Sequence, residues 1–199
     1  RAAPDLIVLT GDFVTSDPDR YAPDLIQPLR KLAAPAFAVL GNHDYWTDAP
    51  TVRGILAEAG VCEIGNAVHS IRRGAAALHV VGVDDIWEQQ DRLDMVLDQL
   101  RDDDHAAILL AHEPDYAVTS AATGRFDLQL SGHSHAGQMI IPGKGPVFLP
   151  WLAQHYPAGQ YQIGTMIQYT NRGVGMIAPH VRYNCRPEIS LFTIRPTAH

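Results

Sequence analysis

Four short stretches of this 199-residue chain hold side chains that bind metal ions, and each follows an apolar run. Gly11-Asp12 follows Leu6 to Leu9. Gly41-Asn42-His43-Asp44 follows Ala36 to Leu40. His112 follows Ala106 to Ala111, and Gly132-His133-Ser134-His135 follows Phe126 to Ser131. Apolar runs of this length, bounded by turn residues, read as buried strands. Taken singly, Gly-Asp after a strand is most often a turn, and a lone histidine there is most often structural. Four strand ends that all carry Asp, Asn or His predict a two-metal site.

The chemistry that such a set serves is phosphoryl-ester hydrolysis. Two divalent cations about 3.5–4 Å apart polarise phosphoryl oxygens and lower the pKa of a bridging water. Holding two cations so close needs an anionic bridge, for which Asp12 is the candidate. Neutral ligands elsewhere keep the site positive for an anionic substrate, and Asn42, His112, His133 and His135 fit that need. His133 and His135 are two residues apart and share a face on extended backbone. His43, between Asn42 and Asp44, is better placed as an acid toward the leaving alkoxide than as a ligand. Asp44 can orient its ring and raise its pKa. Mixed nitrogen and oxygen donors suit manganese, iron or zinc.

The remaining candidates read as structural. His69, His79, His105, His155, His180 and His199 lack a motif. Asp84-Asp85 reads as a solvated loop, and Arg172, in a glycine-rich loop, as a structural hydrogen-bond donor. Cys62 and Cys185 are far apart and fit no Cys-x-x-Cys pattern, so they read as two buried thiols.

The elements that must position these residues follow from the hydrophobic pattern. Strands are expected at Asp5 to Thr10, Ala36 to Leu40, Val68 to Ile71, Leu78 to Val83, Ala106 to Ala111 and Phe126 to Ser131. Helices are expected at Pro23 to Leu32, Thr51 to Ala59 with Gly60 as its stop, around Leu93 to Leu100, and at Pro114 to Ala121. Thr15 to Arg20 reads as a polar loop. Beyond His135 the texture turns to Gly, Pro and aromatic residues, with a hairpin at Tyr161 to Thr170 and a closing strand at Ile189 to Ile194. Alternating strands and helices predict α/β layers. With no repeat and no linker, residues 1–199 read as a single domain. Fifteen basic against 22 acidic residues give a net charge of −7, which disfavours a nucleic-acid backbone as partner. No apolar run reaches membrane-spanning length.

With these motifs in hand, the series Gly11-Asp12, Gly41-Asn42-His43-Asp44, His112 and Gly132-His133-Ser134-His135 resembles that of the calcineurin-like metallophosphoesterases. Gly137-Gln138, Arg172-Gly173-Val174-Gly175 and Arg182 to Ile189 resemble the bacterial YkuE/YaeI-type branch of small phosphodiesterases. The resemblance implies a four-layer α/β/β/α sandwich of two mixed sheets flanked by helices, and two divalent transition-metal ions. It implies that Asp12 bridges them, that Asn42, His112 and His133 complete one metal, and that His135 serves the other. It also implies that His43 is the catalytic histidine, oriented by Asp44. The family opens with an Asp-x-His motif after its first strand, and nothing before Asp12 matches it. The start at Arg1 predicts that this motif and its strand lie upstream, so that the N-terminal part of the domain is missing here.

The reading is therefore a metal-dependent phosphoric ester hydrolase, more a diesterase than a monoesterase. A metal-bridging hydroxide attacks phosphorus and His43 assists the leaving group. The expected substrate is a small-molecule or lipid-like phosphodiester, handled by a monomer. Branch members often carry an export signal or membrane anchor, which implies a cell-envelope location, with the cytoplasm as the alternative. The rival from another class is a non-catalytic interaction module on the same fold with an incomplete metal site. A zinc peptidase lacks support, because no His-Glu-x-x-His helix is present and Pro114 breaks His112-Glu113.

Overall fold

The computed structural model describes residues 3–195. The second strand shows how the layers arise. Strand β2 (Ala36–Ala38) continues in extended form toward Leu40, and its side chains alternate between two apolar clusters. Ala36, Ala38 and Leu40 pack against Val52 and Leu56, while Phe37 and Val39 pack against Val80, Ile108, Leu110 and Leu130. A strand with a period of two that is buried on both faces must sit between two layers.

Strand β1 (Ile7–Leu9) pairs in parallel with β2, and β2 with β3 (Cys62–Glu63). This small sheet carries α1 (Pro18–Leu29) and α3 (Ala49–Ala59) on its outer face. The larger sheet has the order β10-β11-β7-β6-β5-β4. Its strands are β4 (Ala67–Arg73), β5 (Ala76–Gly82), β6 (Ala106–Leu110), β7 (Leu128–Ser131), β10 (Gly159–Ile163) and β11 (Met166–Thr170). The β5, β6, β7 and β11 strands run parallel, and an antiparallel hairpin partner flanks each end. Val81, Leu109 and Ala111 face away from the small sheet, toward Val96 of α4 (Leu93–Gln99) and Ala117 of α5 (Ala117–Ala122). The result is the expected sandwich: helices, sheet, sheet, helices. Among the described residues no helix is long and apolar enough to cross a membrane.

Three local expectations are corrected. Helix α1 starts at Pro18, within the stretch read as a loop. Asp17 caps it by accepting from the Arg20 N–H, and proline suits the first turn. Pro114–Tyr116 is a 3-10 turn that leads into α5, so the expected helix is two pieces. Ile189 to Ile194 forms no strand, and Ile189 is 89% exposed. An alternating pattern becomes a strand only where a sheet edge receives it. A two-stranded ribbon, β8 (Ile140–Ile141) with β9 (Gly145–Pro146), lies between the last motif and the β10–β11 hairpin.

A polar cluster anchors the entry to β6. Asp103 Oδ1 lies 2.6 Å from His105 Nδ1 and 3.0 Å from Nε2 of the buried His79. His79, then the N–H and ring of His105, hold the Asp103 carboxyl well below the usual range, and Asp103 in turn raises His105. The stabilisation from His105 is fully present below its ordinary value of 6.5 and is lost as pH rises through the raised folded value. That from Asp103 is present above 3.8 and is lost only in stronger acid. Asp103→Asn is therefore expected to lower the urea midpoint more at about pH 5.5 than at about pH 9. Equal losses at both pH values would show that no charge interaction operates there.

Candidate metal centre

The strand ends of both sheets meet at one edge, and the motif residues follow them there. Asp12 comes just after β1. Helix α2 (Asn42–Thr47) begins directly after β2, with Gly41 as its cap. His112 follows β6, and His133 follows β7. Asp12, His112 and His133 each present one ligand atom, and these atoms lie within 4.8 Å of one another.

The hydrogen bonds around the two rings decide which nitrogens face inward. His112 Nδ1 donates to the Thr10 carbonyl. His133 Nε2 donates to the Trp151 carbonyl over 2.8 Å. A carbonyl can only accept, so each ring spends its proton outward. The nitrogens left facing inward are His112 Nε2 and His133 Nδ1, and they face each other at 3.1 Å. Asp12 Oδ2 stands 3.2 Å from His112 Nε2. Three ligand atoms thus converge in a buried place, which is unfavourable unless a positive charge, a cation or a proton, joins them.

Without a cation, a second proton on His112 supplies that positive charge. Burial disfavours charge on His112, but Asp12 outweighs it and lifts the ring to about 10. Burial raises the Asp12 carboxyl, yet His112, with His43 and His133, brings it well below the usual range. Burial and then His112 push His133 down to about 3, which keeps its ring neutral. Asn42 is 1% exposed, and its Oδ1 has no hydrogen-bond partner among the described residues. It lines the same cavity as Asp12 and His133. Once a cation displaces the His112 proton, one carboxylate, one amide oxygen and two imidazole nitrogens would fit a divalent transition metal. His135 lines that cavity too but stands outside the three-atom cluster, and burial lowers its ring pKa.

Backbone strain gathers at the same place. Asp12, His133 and His135 have φ of 59°, 63° and 47°. Residues other than glycine rarely adopt the left-handed region, and it costs about 1–3 kcal/mol each where the surroundings hold it. Gly41 is needed for a different reason. A Cβ there would lie 2.5 Å from both Asp12 Oδ1 and His112 Cε1, so only glycine lets the two strand ends close.

Asp44 sits beneath the cluster. Its sequence position suggests a support for the His43 ring, but in the structure its oxygens accept four backbone N–H groups, from Asp12, Phe13, Val14 and Gly41, at 2.7–3.1 Å. Burial and the neighbouring Asp12 raise its carboxyl to about 7, against the pull of those donors. His43 is held differently. Its N–H donates to Asp12 Oδ1 over 3.0 Å, and its ring lies edge-on to Trp46 at 4.8 Å.

Some site residues escaped the sequence. Asp84 and Asp85 are buried, at 6% and 0% exposure, not solvated. Burial and then Glu113 raise Asp85 to about 8, and Glu113 accepts from the Trp87 N–H at 3.0 Å. This places Trp87 against His133, with ring centroids 5.6 Å apart, and Trp46 and Trp151 pack edge-on to Trp87. The three tryptophans are 41 and 64 residues apart along the chain, with no shared motif to flag them. Arg172 pairs with Glu188 at 3.4 Å and does not line the cavity, and of the two thiols expected to be buried Cys185 is buried but Cys62 is exposed.

The family model described as calcineurin-like phosphoesterase matches residues 1–137. The chain is 37% identical over 204 residues to YkuE of Bacillus subtilis, titled an uncharacterized metallophosphoesterase, covering 99% of this chain and 70% of that protein. It is 33% identical over 197 residues to the phosphodiesterase YaeI of Escherichia coli, covering 96% and 70%. Among solved structures, the NAD nucleotidase NadN of Haemophilus influenzae superposes with a TM-score of 0.51 at 13% identity. That match covers 83% of this chain and 36% of the other, and it bears on the fold alone.

Two substitutions probe this architecture. Asp44→Ala would leave four N–H groups without their acceptor and is expected to cost at least about 3 kcal/mol in urea unfolding. A loss below about 1 kcal/mol would mean that water replaces the carboxylate without penalty. Gly41→Ala is expected to reduce bound manganese or zinc, read by elemental analysis after dialysis. Full metal content in that variant would show that the strand ends can part without disturbing the site.

Proposed function

This chain belongs to the calcineurin-like phosphoesterase family, whose members are metal-dependent phosphoesterases, and we propose that it hydrolyses phosphodiesters. The observation that carries the reading is the convergence of Asp12 Oδ2, His112 Nε2 and His133 Nδ1, three ligand atoms aimed at one another at the strand ends. In this proposal Asp12, Asn42, His112 and His133 would hold one divalent cation, and Asp12 and His135 would serve a second. When bound, the metal pair supplies Lewis-acid polarisation of the phosphoryl group and an activated water.

The chain's own residues do the rest. Thr10 and Trp151, through their carbonyls, fix the tautomers that aim His112 and His133 inward. Asp44 holds the backbone of Asp12 and Gly41 so that the donors are preorganised. His43 reaches the cavity from a helix start that Asp12 itself ties down, and its ring gives a proton to the departing alkoxide oxygen. Trp46 limits the swing of that ring.

Support for a diester comes from the surroundings of His43. It lines a cavity of about 470 Å³ with the proposed metal ligands, and a second of about 680 Å³ bordered by Phe13 and Tyr21. Ile177 and Ala178 border both cavities. A phosphodiester has two substituents, and the two cavities offer each a place. The name of YaeI as a phosphodiesterase points the same way.

Manganese-loaded protein is expected to hydrolyse bis(p-nitrophenyl) phosphate faster than p-nitrophenyl phosphate, and chelation is expected to stop both. Asp12→Asn and His133→Ala should abolish turnover; near-normal rates in either would sink the proposal. His43→Ala should keep its metal while losing about 10²–10⁴ in kcat. Loss of metal in that variant would instead make His43 a ligand.

A further inference from the structure

The wall of the cavity that holds the proposed metal ligands is chemically one-sided. Beyond the ligand side chains it is built from Trp46, Trp87, Met139, Phe148, Pro150 and Ile177. Among the described residues, no lysine or arginine lines either that cavity or the second one. Arg182, the basic residue near His135, spends its guanidinium on the carbonyls of Arg172 and Gly175. Substrates with further phosphates are ordinarily met by such cations, so none beyond the scissile one is provided for here. The apolar wall also continues outward. Two of the wall's own side chains stand open to solvent, Phe148 at 64% and Trp46 at 52%, and beside them Val147, next to Phe148 in the chain, and Trp151, packed on Trp87, are each 56% exposed. Grouped exposure of this kind marks a binding surface, whereas scattered single residues do not.

The second cavity differs. Thr15, Ser16, Tyr21, Asp24 and His180 line it beside Phe13 and Leu25. His43 stands at the seam of the two. We infer that the substrate is an amphipathic phosphodiester with an apolar arm, alkyl or aryl, along the Trp46–Phe148 wall and an uncharged polar arm toward Tyr21 and Asp24, with the phosphate between them. This rests on the phosphodiesterase reading above and adds the chemistry of the two ester groups. It assigns Phe148 and Trp46 a part in specificity that no metal-binding motif contains.

The test uses metal-loaded protein and a set of soluble diesters that share the glyceryl arm: glyceryl methyl, glyceryl octyl and glyceryl phenyl phosphate, below any micelle concentration. Hydrolysis is followed by phosphorus NMR. The octyl or phenyl ester is expected to exceed the methyl ester in kcat/KM by about tenfold or more. The faster of the two tells whether the arm is a chain or a ring. Phe148→Ser, at an exposed position, is expected to fold with an unchanged urea midpoint and to bring that ratio down toward one. Equal kcat/KM for all three esters, with bis(p-nitrophenyl) phosphate still hydrolysed, would overturn this inference and leave the diesterase reading standing. An undiminished ratio in both Phe148→Ser and Trp46→Ser would overturn the placement of the arm. No turnover of any diester, bis(p-nitrophenyl) phosphate included, would remove both.

Discussion

The carboxylate of Asp44 gathers four backbone N–H groups, and the candidate site depends on that convergence. Three of the donors lie just after β1 and the fourth just after β2, so one side chain ties two parallel strand ends together. The tie turns Asp12 into its left-handed conformation and places its carboxylate beside His112. It also starts α2, which carries Asn42 and His43 to the same edge. Two buried acids in this proximity repel each other, and the N–H cradle on one side and the imidazoles on the other make the arrangement tenable.

The sandwich serves this edge. The two central strands that deliver site residues are buried on both faces, β2 between α3 and the large sheet, β6 between the small sheet and α4. Burial on both sides fixes register, because a slip of one residue would exchange the two faces. Strand ends held in this way can carry strained backbone at Asp12, His133 and His135 without relaxing. Rigid elements with short loops give the precision that converging ligands need.

Around this polar centre the protein builds an aromatic surround. Glu113, next to His112 in the chain, holds the Trp87 backbone, and Trp87 stacks edge-on with His133, Trp46 and Trp151. Trp151 closes the loop by giving its carbonyl to His133. The tryptophans thereby both orient a proposed ligand and line the approach to it. Excluding water there strengthens each electrostatic interaction inside.

Much was legible in the sequence because its signals are local. Gly-Asp, Gly-Asn-His-Asp and Gly-His-Ser-His each follow an apolar run, and period and composition suffice to read strands that end in ligand types. The same is true of Gly60 as a helix stop and of Gly164 in its hairpin, both at positive φ. What only the tertiary structure decided involves residues distant in the chain. Asp44 serves the backbone of residues 12–14, about thirty positions away, and no local pattern announces that. Asp84 and Asp85 read as solvated because charge next to charge usually is; Tyr45, Arg53 and Glu113 bury them. The alternation at Ile189 to Ile194 is a strand pattern, yet ladder bonds need a neighbouring edge, which sequence cannot supply. Local chemistry named the residues that converge; long-range burial decided which atoms of theirs face one another.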